Sequence, residues 1–464
     1  MNDLKTTDQN SQGLTGYKAA SLQELWSMAY PLILTATSTA LMMFADRLIL
    51  ANYSITAFNA AVTASFIFMV FQLATLSIAG IAEVFVGQHN GAKRYNKIGE
   101  PVWQMIWFSL LSILIFAPSA YFLGPTLIAE NYHEQGLPYF YWLMYMGPAF
   151  PFMIAMCAFY IGRGKTGLVL AATVLMNALN IILDILLIFG VDGIIPEMGT
   201  QGAAIATVFS QVFAGLLLFI VFLSKKYREQ FGTNLWRLNS KVMKDCLKIG
   251  VPSSIGHIFG MGAWAVLFSL MARSSEEHTT VFAVGHSIMV LFFFFIEGLH
   301  KAIVALSSNL IGANKYDVVK GLIRSSMVLM LIFALITVTP FLVYPNYLVE
   351  LFFMVQGQPT HLEGIGEMIQ AAMFWLWLVI ILDIILWSYA GVLIAAGDTV
   401  FVMVMHAINA WFFAVVPIYI YVFYFGGNAV GIWALSAAYM LICVISFYWR
   451  YRKGKWKTLS IISQ

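Results

Sequence analysis

The sequence predicts an all-α polytopic membrane protein of about twelve transmembrane helices, and three observations carry that prediction. Of the 464 residues 61% are apolar and only 10% charged, more apolar surface than a water-soluble fold hides in its interior. The apolar residues gather in runs of roughly 20 or more, the length a helix needs to cross the hydrocarbon core. None of the runs alternates with the period of two that a membrane barrel requires, so helices are left to satisfy the backbone in lipid.

In chain order, the runs lie near 24–50, 56–86, 101–125, 138–162, 167–190 and 201–224, then near 246–272, 280–311, 322–348, 370–396, 401–425 and 428–450. Residues 1–23 are polar, carry Lys5 and Lys18, and lack the apolar core of a cleavable signal, so a cytoplasmic tail is expected there. A first lobe is expected over 24–224, a basic cytoplasmic linker over 225–245, a second lobe over 246–450 and a second tail over 451–464. Cys157, Cys246 and Cys443 fall in or beside spans at wide spacing, which indicates neither disulfides nor a metal motif.

With both termini placed inside, every one of the 25 Lys and Arg residues except Arg47, Arg273 and Lys301 falls in a cytoplasmic segment. The opposite loops carry acids such as Glu130, Glu134, Asp192, Glu197, Glu276, Glu277, Glu350, Glu363 and Glu367. This asymmetry sets the orientation and supports an even number of spans. The net charge of +3 is therefore a topology signal, and no basic soluble face points to nucleic acid.

The chain also repeats itself. Pro252 stands 221 residues after Pro31, and Gly312-Ala313-Asn314-Lys315-Tyr316 echoes Gly91-Ala92-Lys93-Arg94-Tyr95 at the same offset. Gly397-Asp398-Thr399 echoes Gly164-Lys165-Thr166 at 233, which calls for about twelve additional residues in the second half, expected near Gln356 to Gly366. Two six-helix repeats of like orientation are related by an axis along the membrane normal, and a central V-shaped cleft is expected between them.

These residues carry a family resemblance. Pro31 and Asp46, Gly87-Gln88-His89-Asn90-Gly91-Ala92, Gly162-Arg163-Gly164-Lys165-Thr166, Asn177 with Asn180 and Asp184, Gly202-Ala203-Ala204-Ile205-Ala206-Thr207 and Gly397-Asp398-Thr399 together resemble the multidrug and toxin extrusion (MATE) transporters. The resemblance covers nearly the whole chain. It implies multidrug efflux by antiport against Na⁺ or H⁺ through alternating access, with no other cofactor. It also implies a cation site at Asp46, Asn180, Asp184 and Thr207. A bacterial inner membrane is the expected location, because the two halves join with little soluble decoration and no targeting peptide appears.

Chemistry read from the residues agrees with that implication. Ionisable groups inside spans are costly and mark function by default. Asn180 and Asp184 lie one helical turn apart. Two carboxylates, an amide and a hydroxyl offer the hard oxygens that suit Na⁺, and two nearby carboxylates also hold a proton. The bland alternatives are that Asp46 pairs with Arg47 and that Asn177 and Asn180 join helices.

Asp383 lies in an apolar run and, by the resemblance, matches an acidic position that one MATE branch uses for cations. The glutamate which that branch carries in span seven is expected near Gly260 and is missing. Glu297 could stand in, although its i,i+4 spacing to Lys301 equally predicts a structural ion pair. His257 and His300 could relay protons or simply join helices.

The expected partners are small, amphipathic, cationic drug-like compounds and the lipid bilayer, with the protein a monomer. A flippase for lipid-linked precursors is the alternative, and it would want basic residues in the cleft for pyrophosphate. A membrane enzyme is a third reading, but no nucleophile or metal motif is present to support it.

Overall fold

The computed structural model describes residues 13–355, 365–459 and 461–462. Lys5 and most of the expected first tail lie outside the described residues. So do Glu363 and most of the expected insertion, positions 356–364. The regular elements of the described residues are helices, and an isolated bridge joins Val191 to Ile195. Among the described residues eleven helices are long and apolar enough to cross a membrane, and a bent pair supplies a twelfth.

The first six spans are α1 (Leu22–Tyr53), α2 (Ile55–Gly91), α3 (Tyr95–Leu127), the bent α4 (Glu130–Tyr145 with Ala149–Ile161), α5 (Thr166–Ile188) and α6 (Gly199–Phe222). The rest are α7 (Ser240–Ser274), α8 (Glu276–Gly312), α9 (Val319–Val343), α10 (Ile365–Ala395), α11 (Thr399–Phe423) and α12 (Ala429–Lys453). Side chains such as Leu114, Phe122, Ile220 and Ile336 stand about two-thirds exposed within their spans, which only lipid tolerates in such numbers.

Local sequence explains the irregularities. The α4 halves meet at 43°, at Gly147 and Pro148, where the proline removes a backbone donor and Phe116 packs against the glycine. Pro340 and Pro417 accompany two π-helical segments, Thr339–Val343 in α9 and Asn409–Val415 in α11. In the first, the Tyr344 N–H reaches back five residues to the Thr339 carbonyl.

The chain divides into two compact units. The N unit comprises Tyr30–Ser254 with Ser308–Lys315, and the C unit comprises the residues through Ala29, Ile255–Ser307 and Tyr316–Leu459.

The N-unit core is aromatic. Phe68 sits 5.1 Å from Phe150 and 6.1 Å from Phe116, with Phe140, Met144 and Val208 buried around them. The ends of α2 and α8 meet in this unit, where Asn90 donates to Asn309 (2.7 Å) and Asn309 donates to the Gly162 carbonyl (2.8 Å). The repeat recurs in the backbone: Lys93 and Asn314 take φ of 58° and 57°, and Gly164 and Gly397 take 74° and 83°.

In the C unit α10 is the central helix, with 78% of its apolar window buried. Its Ser388 shares a hydrogen bond with Ser326 of α9 (2.6 Å). Arg450 of α12 forks onto Asp398 (2.7 and 3.0 Å) and lies over the Phe401 ring. The leading segment is tied into this unit as well. Glu24 accepts the N–H groups of Leu14 (2.5 Å) and Ala20 (2.6 Å), and Ser325 donates to the Ala20 carbonyl (2.8 Å).

Candidate functional site

Helix α5 shows why polar residues end up inside. Its buried stripe runs Val169, Ala172, Thr173, Met176, Asn177, Asn180, Asp184 and Ile188, the three-and-four spacing of one helical face. The opposite face is Leu175, Ile182 and Ile185, each about half exposed to lipid. Asp184 is completely buried, and Asn180 and Asn177 are nearly so.

Across from this stripe, α1 brings Asp46, whose carboxyl faces the Asp184 carboxyl closely enough for the two to interact. Both Asp184 oxygens, one Asp46 oxygen and both ends of the Asn180 amide are buried with no protein hydrogen-bond partner. Burying so many unsatisfied polar atoms is costly, so the arrangement suits a group placed between the carboxylates. Among the described residues no ion pair joins Asp46 to Arg47, whose side chain is exposed.

Asn177 does join helices, since its amide donates to the Ser38 hydroxyl of α1 (2.7 Å). Thr207 lies on α6, which packs along α5, and donates to the Ala203 carbonyl of its own helix (3.0 Å). Sequence reasoning missed Tyr139. Its hydroxyl meets Ser65 (3.0 Å), and its ring lies within Coulombic range of both Asp46 and Asp184. Nothing distinguishes Tyr139 from its aromatic neighbours in Tyr139-Phe140-Tyr141-Trp142, so no sequence signal marks it.

The C unit gathers a second polar set. Asp383 is buried on α10, and the Trp387 indole, one turn on, is the donor side chain that bears on its carboxyl. Three imidazoles surround Trp387: His300 edge-on at 4.8 Å, His406 at 5.3 Å and His257 at 6.3 Å, both stacked. His300 also meets the Trp387 carbonyl through Nδ1 (3.1 Å). Glu297 and Lys301 form an ion pair at 2.9 Å.

Gly260 lines a cavity of about 50 Å³ together with Trp264, Val379 and Tyr439, and a side chain there would meet nothing within 4 Å. Among the described residues, no three His, Cys, Asp or Glu side chains form a transition-metal-type cluster.

Comparison with known proteins agrees with this layout. The MatE family model matches residues 31–186 and 252–420, so each half matches from its own member of the proline pair, Pro31 and Pro252. A probable multidrug resistance protein NorM of Thermotoga maritima is 24% identical over 456 residues, covering 95% of this chain and 94% of its own length. The probable multidrug resistance protein YoeA of Bacillus subtilis is 24% identical over 290 residues, 61% of this chain and 62% of its own. Among solved structures, a MATE protein in complex with MaL6 superposes with a TM-score of 0.83 at 19% identity, covering 94% of this chain and 97% of that one. With the family model spanning most of both halves, this chain belongs to the MatE family, whose members are membrane transporters and not enzymes.

Proposed function

We propose that the protein exports small amphipathic, cationic drug-like compounds in exchange for inward-moving Na⁺ or H⁺, by alternating access. It works as a monomer in the inner membrane with both termini cytoplasmic. The multidrug names of the Thermotoga and Bacillus relatives support the cargo class, and the charge asymmetry of the loops supports the orientation.

The observation that carries the coupling is the facing pair Asp46 and Asp184, the first half-buried and the second fully buried, with both Asp184 oxygens and one Asp46 oxygen enclosed where no protein donor meets them. A Na⁺ ion held by the two carboxylates, the Asn180 carbonyl oxygen and Thr207, or a proton shared by the carboxylates, removes the repulsion between them. Cargo and cation then compete for the same negative charge. By linkage, a bound organic cation lowers Na⁺ or H⁺ affinity by the factor by which the ion lowers its own. Asp383 serves as a second acidic position, with His257 and His300, which pack on Trp387, as proton carriers. The flippase reading needs cations available for pyrophosphate; its candidates inside spans are Lys301 and Arg47, and Lys301 is already paired with Glu297.

Ethidium export from proteoliposomes under imposed Na⁺ or H⁺ gradients tests this. Gradient-driven export that is lost in Asp46→Asn and Asp184→Asn supports the reading. Undiminished export in both variants overturns the assignment of these carboxylates, and no export by the unaltered protein under either gradient overturns the antiport itself.

A further inference from the structure

We infer that the N unit carries a groove for the phosphate headgroup of an anionic phospholipid, built where the loop 232–239 docks on the start of α3. The groove, about 350 Å³, is lined by Trp103, Leu223, Arg228, Thr233, Asn234 and Trp236.

Its floor is held rigid. The indole N–H of Trp103 donates to the Thr233 carbonyl (2.8 Å), and that of Trp107 to the Trp236 carbonyl (2.7 Å). The Gln104 amide donates to the Arg237 carbonyl (3.2 Å) and accepts the Asn239 N–H (2.9 Å), while the Asn239 amide donates to Glu100 (2.7 Å). Gly232, at φ 63°, makes the turn that starts the loop. A groove fixed in this way binds without first ordering itself.

Three donors line it and are unspent. Arg228 makes no ion pair and Asn234 no side-chain hydrogen bond among the described residues, and Thr233 is fully buried with a partnerless hydroxyl. A guanidinium, an amide and a hydroxyl together are the donor set that phosphate oxygens select.

The surroundings distinguish a lipid from free phosphate. The groove lies at the basic end of α3 and α6, where interfacial Trp and Lys or Arg anchor a membrane protein. Trp236 and Leu238 of the same loop are 56% and 58% exposed, an apolar edge with a use only if acyl chains run past it. Lys225, Lys226, Arg237, Lys241, Lys244 and Lys248 of the same stretch of chain add positive charge against Glu229 and Asp245, and Glu100 is already engaged by Asn239 and Lys97. This field favours an anionic headgroup over a zwitterionic one.

The test is native mass spectrometry and thermal melting of the full chain in detergent, titrated with phosphatidylglycerol, phosphatidylcholine or inorganic phosphate. Phosphatidylglycerol should bind about tenfold more tightly than phosphatidylcholine, and Arg228→Ala should erase that preference. Arg452→Ala, a basic residue outside the groove, should keep it. Because Arg228 is exposed, its lipid-free melting temperature should match that of the unaltered protein. Quenching by brominated phosphatidylglycerol should fall in Trp236→Phe. Equal phosphatidylglycerol binding in Arg228→Ala overturns the proposal, as does protection by inorganic phosphate to which the lipid adds nothing.

Discussion

Gly91 and Gly312, 221 residues apart in the repeat, each lie against a carbonyl of the other's helix. The place a Cβ would take on Gly91 is filled by the Asn309 carbonyl, and the place on Gly312 by the Gln88 carbonyl. Gln88 and Asn309 are themselves repeat equivalents, so the crossing is symmetric in its atoms.

This crossing is expected to reject any side chain. Gly91→Ala and Gly312→Ala should each cost about 1–3 kcal/mol through backbone displacement, read as a lowered melting temperature in detergent. Gly366→Ala, where a Cβ meets nothing, should leave melting unchanged.

The carboxylates of the N unit should behave in the opposite sense. Asp46→Asn replaces one of two facing acids by an amide that can donate to Asp184. In Na⁺-free buffer the variant should be more stable by about 1–3 kcal/mol, since a buried unsatisfied acceptor gains a donor. Any rise in melting temperature that Na⁺ gives the unaltered protein should vanish in it. A variant that melts lower without Na⁺ would count against a repulsive pair.

In the C unit, Trp387→Phe preserves the ring among His257, His300 and His406 but removes the donor to Asp383. The expected loss is about 1–3 kcal/mol. Adding Asp383→Leu should recover part of it, because the orphaned acid is then gone. A double-mutant cycle on melting temperature measures that coupling.

Arg450 combines a two-pronged bond to Asp398 with stacking on Phe401. Lysine reproduces neither the fork nor the stack, so Arg450→Lys should destabilise by about 1–2 kcal/mol in a thermal-melting assay.

The span pattern was legible because lipid imposes one rule on every residue that crosses it, and length plus apolarity reports that rule directly. The start of α9 near 322 and the end of α5 near 190 were close for the same reason. The separate helix Pro345–Val355, which follows α9, was not legible, because the apolar run continues across the break at Tyr344. The segment after Lys225 reads as a plain polar linker. The structure instead folds Lys225–Phe231 as a helix and docks the following loop on Trp103, Gln104 and Trp107. Bonds from side chains to distant carbonyls leave no periodic trace.

The candidate site divides along the same line. That Asn180 and Asp184 share a face follows from their spacing of four. That the Asp46 carboxyl meets Asp184, and that Tyr139 stands near both, depends on how separate helices pack, which no local spacing encodes.

The π-helical segment of α11 sets that helix's angular phase. Each wide turn holds one residue more than an α-turn, so the helix after Val415 is rotated relative to a regular continuation from Ile408. The segment buries Asn409, Ala410, Ala414 and Val415 together, a set no regular α-helix turns to one side so completely. Regular α-winding of the same seven residues would turn Ile418 and Val422, both now buried, through an angle on the order of 100°, because each residue of the wide turns advances the helix by less than the roughly 100° of an α-helix. The winding of this segment therefore decides which residues beyond it are buried.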